Sequence, residues 1–281
     1  MTDSLHRDQA AGLRAMLNQV PPEVLAVVPC GAASMRWMAR QALQRAALGQ
    51  RVLAFDEWQI SGNFSDCVGV SPRFDLQQAV EGLVSLDDCM AAGATTGGDA
   101  GSDACGLHVL SVAKLARSIN EDRILQQRTA DCLLRLQAVS DEWLLLARPC
   151  DLTGLSSFAR AAPRLLLVIE PQERAITQAY AALKRLVRGA DTLAVGVCVV
   201  SADEAATRLL ISRFTQLAES QLGIEVQAVS SLGEALCLAG SHGKELGGHA
   251  GHSFAEKLLG RARSATTTAI MGFSRGPAMA W

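Results

Sequence analysis

The residues after the first apolar run are the first candidates for chemistry in this chain. Val24–Val28 predicts a buried strand, which leads through Gly31 and Ser34 into a helical pattern. Such a strand–turn–helix junction can hold phosphate, because backbone N–H groups and the helix N-terminus face the anion and a lysine bridges it. The pattern G-x-x-x-x-G-K-[ST] is absent from the sequence. A phosphate site here would therefore lack its usual lysine.

Lysine is rare throughout the chain. Lys and Arg together number 26, and four of them are lysines: Lys114, Lys184, Lys244 and Lys257. None of these follows the first strand, where the nearest cation is Arg36. The low lysine count therefore bears on function only if the phosphate site needs a lysine at one fixed position.

Composition excludes several classes of protein. The 26 basic residues face 28 acidic ones, so the net charge of −2 gives no basic field for nucleic acid, and 4% aromatics give little stacking surface. Hydrophobic residues make up 49% of the 281 positions, enough for a full core. Eight cysteines without a C-x-x-C pair, and a polar first segment, predict reduced thiols in a cytoplasmic protein. No apolar run approaches the roughly 20 residues needed to span a bilayer.

Apolar runs alternate with helical patterns along the chain. The predicted strands are Val24–Val28, Arg51–Phe55, Leu107–Val112, Trp143–Ala147, Arg164–Ile169, Leu193–Val200 and Glu225–Val229; the predicted helices are Met35–Leu48, Leu76–Gly82, Glu121–Val139, Ala175–Arg188 and Ala205–Leu222. This alternation predicts one doubly wound α/β domain with a mainly parallel sheet over residues 21–240. An amphipathic N-terminal helix (1–20), a Gly-rich surface loop (91–106) and a flexible or amphipathic C-terminal tail (241–281) lie outside that core.

The order of these segments resembles the MinD/ParA-type P-loop ATPases, and more narrowly their flagellar-number regulator branch, FlhG or FleN. The resemblance covers roughly residues 8–230. It is carried by DQAAGLR at the N-terminus, GQRVLAFDEWQISGNFSDCVGVSPRFDLQQAVEGLVSLDD after the first helix, and LLLVIEPQERAITQAYAALKRL later in the chain. It implies the SIMIBI/MinD-like P-loop NTPase fold with an N-terminal activator helix.

The N-terminal motif implies a protein partner. In the family, D-Q-A-x-x-L-R contacts the signal-recognition-type GTPase FlhF and stimulates its GTP hydrolysis. Carried over, the partner-binding residues are Asp8, Gln9, Ala10, Leu13 and Arg14. The alternative is an ordinary amphipathic helix that docks on its own domain.

The same resemblance implies a degenerate nucleotide site. Ser34 stands where the phosphate-loop lysine belongs, and Met35 replaces the hydroxyl that binds Mg²⁺. Pro29 falls on the second, signature lysine, and Gly31 lies between these positions. The loop therefore implies loss of activity with retention of the fold.

The acids that accompany the loop are altered as well. Asp56 matches the first acid after the second strand, and Asn63 agrees with the family. Trp58 occupies the position of the acid that orients the attacking water, and Ala147 that of the acid that holds Mg²⁺ through water. We expect Asp56 to hydrogen-bond the neighbouring loop, and Trp58 to pack over the space that a nucleotide would fill.

These observations predict a pseudo-ATPase that regulates flagellar number or placement through FlhF, with no cofactor. Two alternatives stay open: an ATPase with an unconventional phosphate loop that binds ATP–Mg²⁺ and dimerises, and an antiactivator of a flagellar transcription regulator. Flagellar basal-body proteins are further partner candidates, and the cell pole or the inner membrane surface are candidate locations. His242, His249 and His252 lack the spacing of a metal site. We expect a solvated or disordered tail after them, with at most weak membrane contact.

Overall fold

The computed structural model describes residues 21–93, 106–120, 122–149, 155–187 and 194–238, together with Phe254 and Leu258. The strands of this part are β1 (Glu23–Cys30), β2 (Val52–Asp56), β3 (Ala91–Ala92), β4 (Leu107–Ser111), β5 (Glu142–Leu146), β6 (Arg164–Ile169), β7 (Ala194–Val199) and β8 (Val226–Ala228). The helices are α1 (Ala32–Ala47), α2 (Phe64–Cys67), α3 (Leu76–Val80), α4 (Leu86–Cys89), α5 (Leu115–Ser118), α6 (Arg123–Gln137), α7 (Ser157–Ala161), α8 (Glu173–Val187), α9 (Glu204–Leu222) and α10 (Leu232–Leu236). All seven predicted strands and all five predicted helices are confirmed.

The strands form one sheet in the order β3-β4-β2-β5-β1-β6-β7-β8. Every pairing is parallel except that of the two-residue β3 with β4. β1 lies at the centre, between β5 and β6, and its residues from Val24 to Cys30 are buried. Because parallel strands end at the same edge, the residues that follow β1, β2, β5 and β6 come together. The predicted doubly wound domain is confirmed.

Helices cover both faces of the sheet, so the core has two halves. One face packs Phe55, Trp143 and Phe158 under α6 to α9, and the rings of Phe55 and Trp143 meet edge to face at 5.2 Å. The other face packs Met35 and Met38 of α1 against the strands, together with α2 and α10. This two-sided burial explains why the strands are continuous apolar runs rather than alternating ones.

Short helices fill the connections between the longer elements, and of these only α3 was predicted, as Leu76–Gly82. Asp75 caps α3 in a capping box with Gln78, and Ser85 caps α4 in the same way with Asp88. Helices of four or five residues show less than two turns of hydrophobic period, so the other short helices were not predicted. None of the helices in the described ranges is long and apolar enough to cross a bilayer.

Two positions of the C-terminal segment belong to the core. Phe254 and Leu258 are helical and buried, and the Phe254 ring meets Trp143 edge to face at 5.6 Å. At these two positions the expected solvated tail is wrong, because an apolar pair at i and i+4 spacing finds an aromatic surface to cover. The predicted surface loop 91–106 is wrong at Ala91–Ala92, which form β3 and pair with β4. Residues 94–105 of that loop, the predicted N-terminal helix, the three tail histidines and the rest of the tail lie outside the described residues.

Candidate functional site

A single residue, Gly31, separates β1 from α1 at the place where a phosphate loop would lie. β1 runs through Pro29 to Cys30, two residues beyond the predicted end at Val28, because both residues pair with β6. α1 begins at Ala32, three residues before its predicted start. The residues that the family resemblance places in the phosphate loop are therefore absorbed into the strand and the first helical turn.

A carboxylate of the protein occupies the N-terminus of α1. Glu170 follows the last residue of β6, and its Oε1 accepts the backbone N–H of Ala33 and, at 3.3 Å, that of Ser34. Its own backbone N–H donates to the carbonyl of Cys30 at 3.3 Å, which fixes it beside the junction. The first N–H groups of a helix have no partner within the helix, and the helix dipole favours an anion there. Glu170 therefore sits where such a helix would bind phosphate.

Gly31 allows the carboxylate to come this close. Its φ is +118°, in the range that side chains rarely adopt, and a Cβ added there would overlap the Glu170 carboxyl group. Glu170 itself is only 8% exposed. The absence of a side chain at Gly31 therefore leaves room for the carboxyl group of Glu170.

The two positions that would bind phosphate and metal in the family face inward here. Ser34 is fully buried, and its hydroxyl donates to the carbonyl of Cys30 at 3.2 Å. Met35 lies in the core between α1 and the sheet. Cys30 lies beneath the junction, where burial, and to a lesser extent the charge of Glu170, raise the pKa of its thiol to about 12. The buried side chains of Cys30, Ser34 and Met35 thus offer no cation, and the nearest one is the exposed Arg36 of α1.

Asp56 holds the loop after β2. Its carboxylate accepts the backbone N–H of Trp58 at 2.9 Å and both the backbone N–H and the hydroxyl of Ser65, at 3.1 and 2.8 Å. It is 1% exposed, and burial raises its pKa despite these hydrogen bonds. Asp56 therefore makes the loop contacts that the sequence predicted for it.

Trp58 and Asn63 line a small pocket beside Asp56. The Asn63 side chain caps α2 through the backbone N–H of Asp66 at 2.8 Å and donates to the carbonyl of Trp58 at 3.0 Å. The pocket has a volume of about 230 Å³ and also contacts Ser71 and Ser111. Trp58 packs partly against the α1 side of the core. The indole thus lines the space at this edge of the sheet, as expected.

Glu57 is a buried acid that the sequence analysis did not single out. One carboxylate oxygen accepts the hydroxyl of Ser156, the N-cap of α7, and the other accepts the backbone N–H of Arg148 at 3.0 Å. Burial raises its pKa to about 7, and the charge of Asp56 contributes. Ala147, which precedes Arg148, is fully buried and offers no oxygen for a metal. Glu57 therefore ties the end of β2 to the segment after β5.

Three buried acids lie at this edge of the sheet. Asp56, Glu57 and Glu170 all lie at the carboxyl ends of strands, and the hydrogen bonds that they accept come from backbone N–H and hydroxyl groups. Phosphate would have to displace one carboxylate and approach the others without a lysine to screen the charge. Within the described ranges, no group of three or more His, Cys, Asp or Glu residues could hold a metal ion.

Sequence reasoning missed Glu57 and Glu170 for the same reason. Each follows a predicted apolar strand directly or after one residue, which is the position where functional acids lie in parallel sheets. The signal is present in the sequences FDE, which ends at Glu57, and VIE, which ends at Glu170. However, Glu170 is 136 residues away from Ser34 along the chain, so the sequence does not show that the two are in contact. Only the pairing of β1 with β6 brings them together. The predicted partner-binding residues, Asp8 to Arg14, lie outside the described residues.

Comparison with solved structures identifies the fold. The structure of apo McdA from Cyanothece aligns with 76% of this chain and 88% of that chain, at 14% identity and a TM-score of 0.51. The fold is that of the MinD/ParA-type P-loop ATPases. Also similar are the MinC:MinD cell division complex from Aquifex aeolicus (15% identity, 91% and 98% coverage, TM-score 0.49) and a ParA family ATPase from Chlorobium tepidum TLS (15%, 86% and 98%, 0.48). No family model and no curated protein matches the sequence. Identity this low shows the fold alone.

Proposed function

We propose that this chain is a regulator of flagellar number or placement, similar to FlhG, that binds the GTPase FlhF and does not hydrolyse ATP. The observation that carries the second part is the Glu170 carboxylate on the N–H groups of Ala33 and Ser34. The first part rests on the resemblance of DQAAGLR to the FlhF-activating motif. The motif and the Glu170 contact together favour a binding module over an enzyme.

The proposed loss of hydrolysis follows from what phosphoryl transfer requires. Catalysis of this reaction is almost wholly positioning and electrostatic stabilisation of the transferred phosphoryl group. Ser34 and Met35 supply neither the lysine nor the metal ligand, and Trp58 and Ala147 supply no acid. Glu170 adds a negative charge where the phosphate would bind. An active site of this composition has no group left to stabilise the transition state.

Nucleotide binding is the first test. Isothermal titration calorimetry of the full chain with ATP and Mg²⁺ should give no binding heat up to high micromolar ligand. Saturable binding, with a shift from monomer to dimer in light scattering, would instead support the ATPase with an unconventional phosphate loop. The retained Asp56 is the residue that favours this alternative.

The partner is tested separately. Full-length protein, and a peptide covering residues 1–20, should both accelerate GTP hydrolysis by FlhF. Replacement of Asp8 and Gln9 by Ala should abolish the acceleration, whereas the matched control Asp3→Ala/Gln19→Ala should retain it. If neither the protein nor the peptide acts on FlhF, a pull-down of flagellar transcription regulators and basal-body proteins tests the antiactivator alternative. Fluorescence microscopy of cells that carry a fluorescent fusion of the protein tests whether it lies at the pole or at the inner membrane surface.

A further inference from the structure

The pocket beside Asp56 is not assigned a ligand by the proposed function. It lies between the β2–α2 connection, which carries Trp58, and the α2–α3 connection, which carries Ser71. Its volume of about 230 Å³ is several times the roughly 30 Å³ that a water molecule occupies in the liquid. The pocket can therefore hold a small organic group.

The ionisable side chains that line this pocket are acids. Burial raises the pKa of Asp56, and the charge of Asp66 on α2 raises it further. None of the described residues in the lining is Lys, Arg or His. The cation Arg117 does not line the pocket, and its guanidinium donates to the side chain of Gln59 at 2.6 Å and to the carbonyl of Ala113 at 3.0 Å. The charges of the lining therefore favour a positive group over an anion.

Two hydroxyl groups of the pocket are set to accept hydrogen bonds. Ser65 donates its proton to Asp56 at 2.8 Å, and Ser111 donates its proton to Asp75 at 3.0 Å. A hydroxyl has a single hydrogen, so both oxygens keep only their lone pairs for a ligand. The Asp66 carboxylate adds further acceptor oxygens. A ligand that fits this lining must donate several hydrogen bonds.

Trp58 adds an aromatic wall to the pocket. An indole ring attracts a cation placed over its face more strongly than the other aromatic side chains do. The indole N–H of Trp58 is buried and has no hydrogen-bond acceptor within the described residues. A carbonyl group on the ligand would supply one. An arginine residue of a peptide carries both a positive group with several donors and a backbone carbonyl.

We propose that this pocket binds the guanidinium group of an arginine residue that a peptide segment of another protein supplies. The guanidinium pairs with Asp66 and donates to the oxygens of Ser65 and Ser111. Trp58 covers the bound group. Guanidinium suits this arrangement better than ammonium, because its planar fork presents more donors to neighbouring acceptors. The site goes beyond the function proposed above, since it requires neither FlhF nor the loss of ATP hydrolysis.

The indole N–H signals in nuclear magnetic resonance spectra of the full-length protein test the site. The chain has four tryptophans, and Trp58→Phe identifies the signal of Trp58 by its loss. N-acetylarginine amide should move this signal saturably in the millimolar range, as expected for a ligand of one residue. N-acetylcitrulline amide has nearly the same shape without the charge and should not move it. Methylguanidinium lacks the carbonyl and should bind more weakly than N-acetylarginine amide.

Asp66→Asn tests the predicted charge pair. The variant removes the charge and keeps an oxygen that can accept the backbone N–H of Gly62, which Asp66 accepts at 2.7 Å in the wild type. The affinity for N-acetylarginine amide should fall by about fivefold, because one exposed ion pair is lost. Asp131→Asn, at an exposed acid of α6, is the matched control and should bind like the wild type.

Three results would overturn the arginine site: no movement of the Trp58 signal with N-acetylarginine amide, equal movement with N-acetylcitrulline amide, or equal affinity in Asp66→Asn and the wild type. Equal binding of methylguanidinium would show that a free cation suffices and would overturn the peptide as the source. The comparison of ligands uses the wild type, so a variant that fails to fold leaves it intact. ATP binding in calorimetry would contradict the proposed pseudo-ATPase and not the arginine site.

Discussion

Single residues decide what the carboxyl edge of this sheet can bind. Glu170 supplies the negative charge that the N-terminus of α1 attracts, and it does so from within the chain. The carboxylate is held at a fixed distance by β6, so the protein loses no translational entropy in placing it there. A phosphate from solution would have to displace the Glu170 carboxylate, whose effective concentration at the helix N-terminus is very high because it belongs to the same chain. We therefore expect anion binding at this helix N-terminus to be unfavourable while Glu170 is present, independently of any lysine.

Replacement of Glu170 by Ala should destabilise the protein and open the junction to anions. We expect a loss of about 1–3 kcal/mol in the free energy of unfolding, because the N–H groups of Ala33 and Ser34 lose their acceptor. Inorganic phosphate should raise the melting temperature of this variant more than that of the wild type. Glu170→Gln keeps an acceptor and should respond less, and the exposed Glu219→Ala should not respond at all. Equal responses of all four proteins would contradict the role given to Glu170.

Glu57 should make the stability of the fold depend on pH in the neutral range. Its pKa of about 7 in the folded state lies above the ordinary value of 4.5, so folding takes up a proton between these values. Its contribution is fully present below about pH 4.5 and is lost as the pH rises through about 7, by an amount on the order of 3 kcal/mol. Urea denaturation from pH 5 to pH 8 should show this decline in the wild type. The decline should be absent or much smaller in Glu57→Gln, and identical pH profiles would refute the assignment.

At the scale of elements, the connection between β1 and α1 is one residue long, because β1 ends later and α1 begins earlier than the sequence predicted. Pairing with β6 extends β1 to Cys30, and the Glu170 cap extends α1 back to Ala32. Each extension stabilises the other, because the same end of β6 supplies both the ladder hydrogen bonds and the cap. Gly31 is the only residue between them that must adopt a special conformation.

Gly31→Ala tests this junction. The variant should lose more stability than Gly49→Ala, since both glycines have positive φ but only Gly31 has a neighbour that a Cβ would overlap. We expect a loss of about 1–3 kcal/mol from backbone strain at either site, with an additional loss at Gly31 from displacement of the carboxylate. Denaturant unfolding of the two variants measures the difference. If Gly49→Ala proves as costly as Gly31→Ala, the close approach of Glu170 contributes nothing.

The elements were predictable from the sequence, whereas the contacts of the site were only partly so. Continuous apolar runs give buried parallel strands, and the order of the segments gives the fold class. Ser34, Met35, Trp58 and Ala147 could be named because the family resemblance assigns roles to their positions relative to the strands. Glu170 could not, since its place beside Gly31 depends on which strands are neighbours. Periodicity within a segment carries no information on strand order.

At the scale of the whole molecule, two residues of the C-terminal segment, Phe254 and Leu258, are part of the core. Phe254 contacts Trp143 and Phe158, so residues beyond the last strand cover the aromatic cluster on the α6–α8 face. The buried Phe254 and Leu258 make the tail a contributor to global stability. Truncation studies of this chain should therefore keep residue 258.

Phe254→Ala measures that contribution. Loss of the ring should lower the free energy of unfolding by about 3–5 kcal/mol, as for other large-to-small core changes. The environment of Trp143 should change as well, with a shift in intrinsic fluorescence. Ile124→Ala, at a position that is 65% exposed, is the control and should stay within about 0.5 kcal/mol of the wild type. A neutral Phe254→Ala would show that the tail does not pack on the cluster in solution.

The strand–helix junction also sets how easily a lysine-based phosphate site could be built at this place in the fold. Ser34→Lys alone would place an ammonium group in a buried position beside Glu170, where the two would form an ion pair instead of a phosphate site. A working loop would further require that Cys30 leave the sheet and that the first turn of α1 unwind. These changes are mutually dependent, and each is destabilising when made alone. A lysine-based phosphate loop at this junction would thus require several simultaneous substitutions, and a single one would not create it.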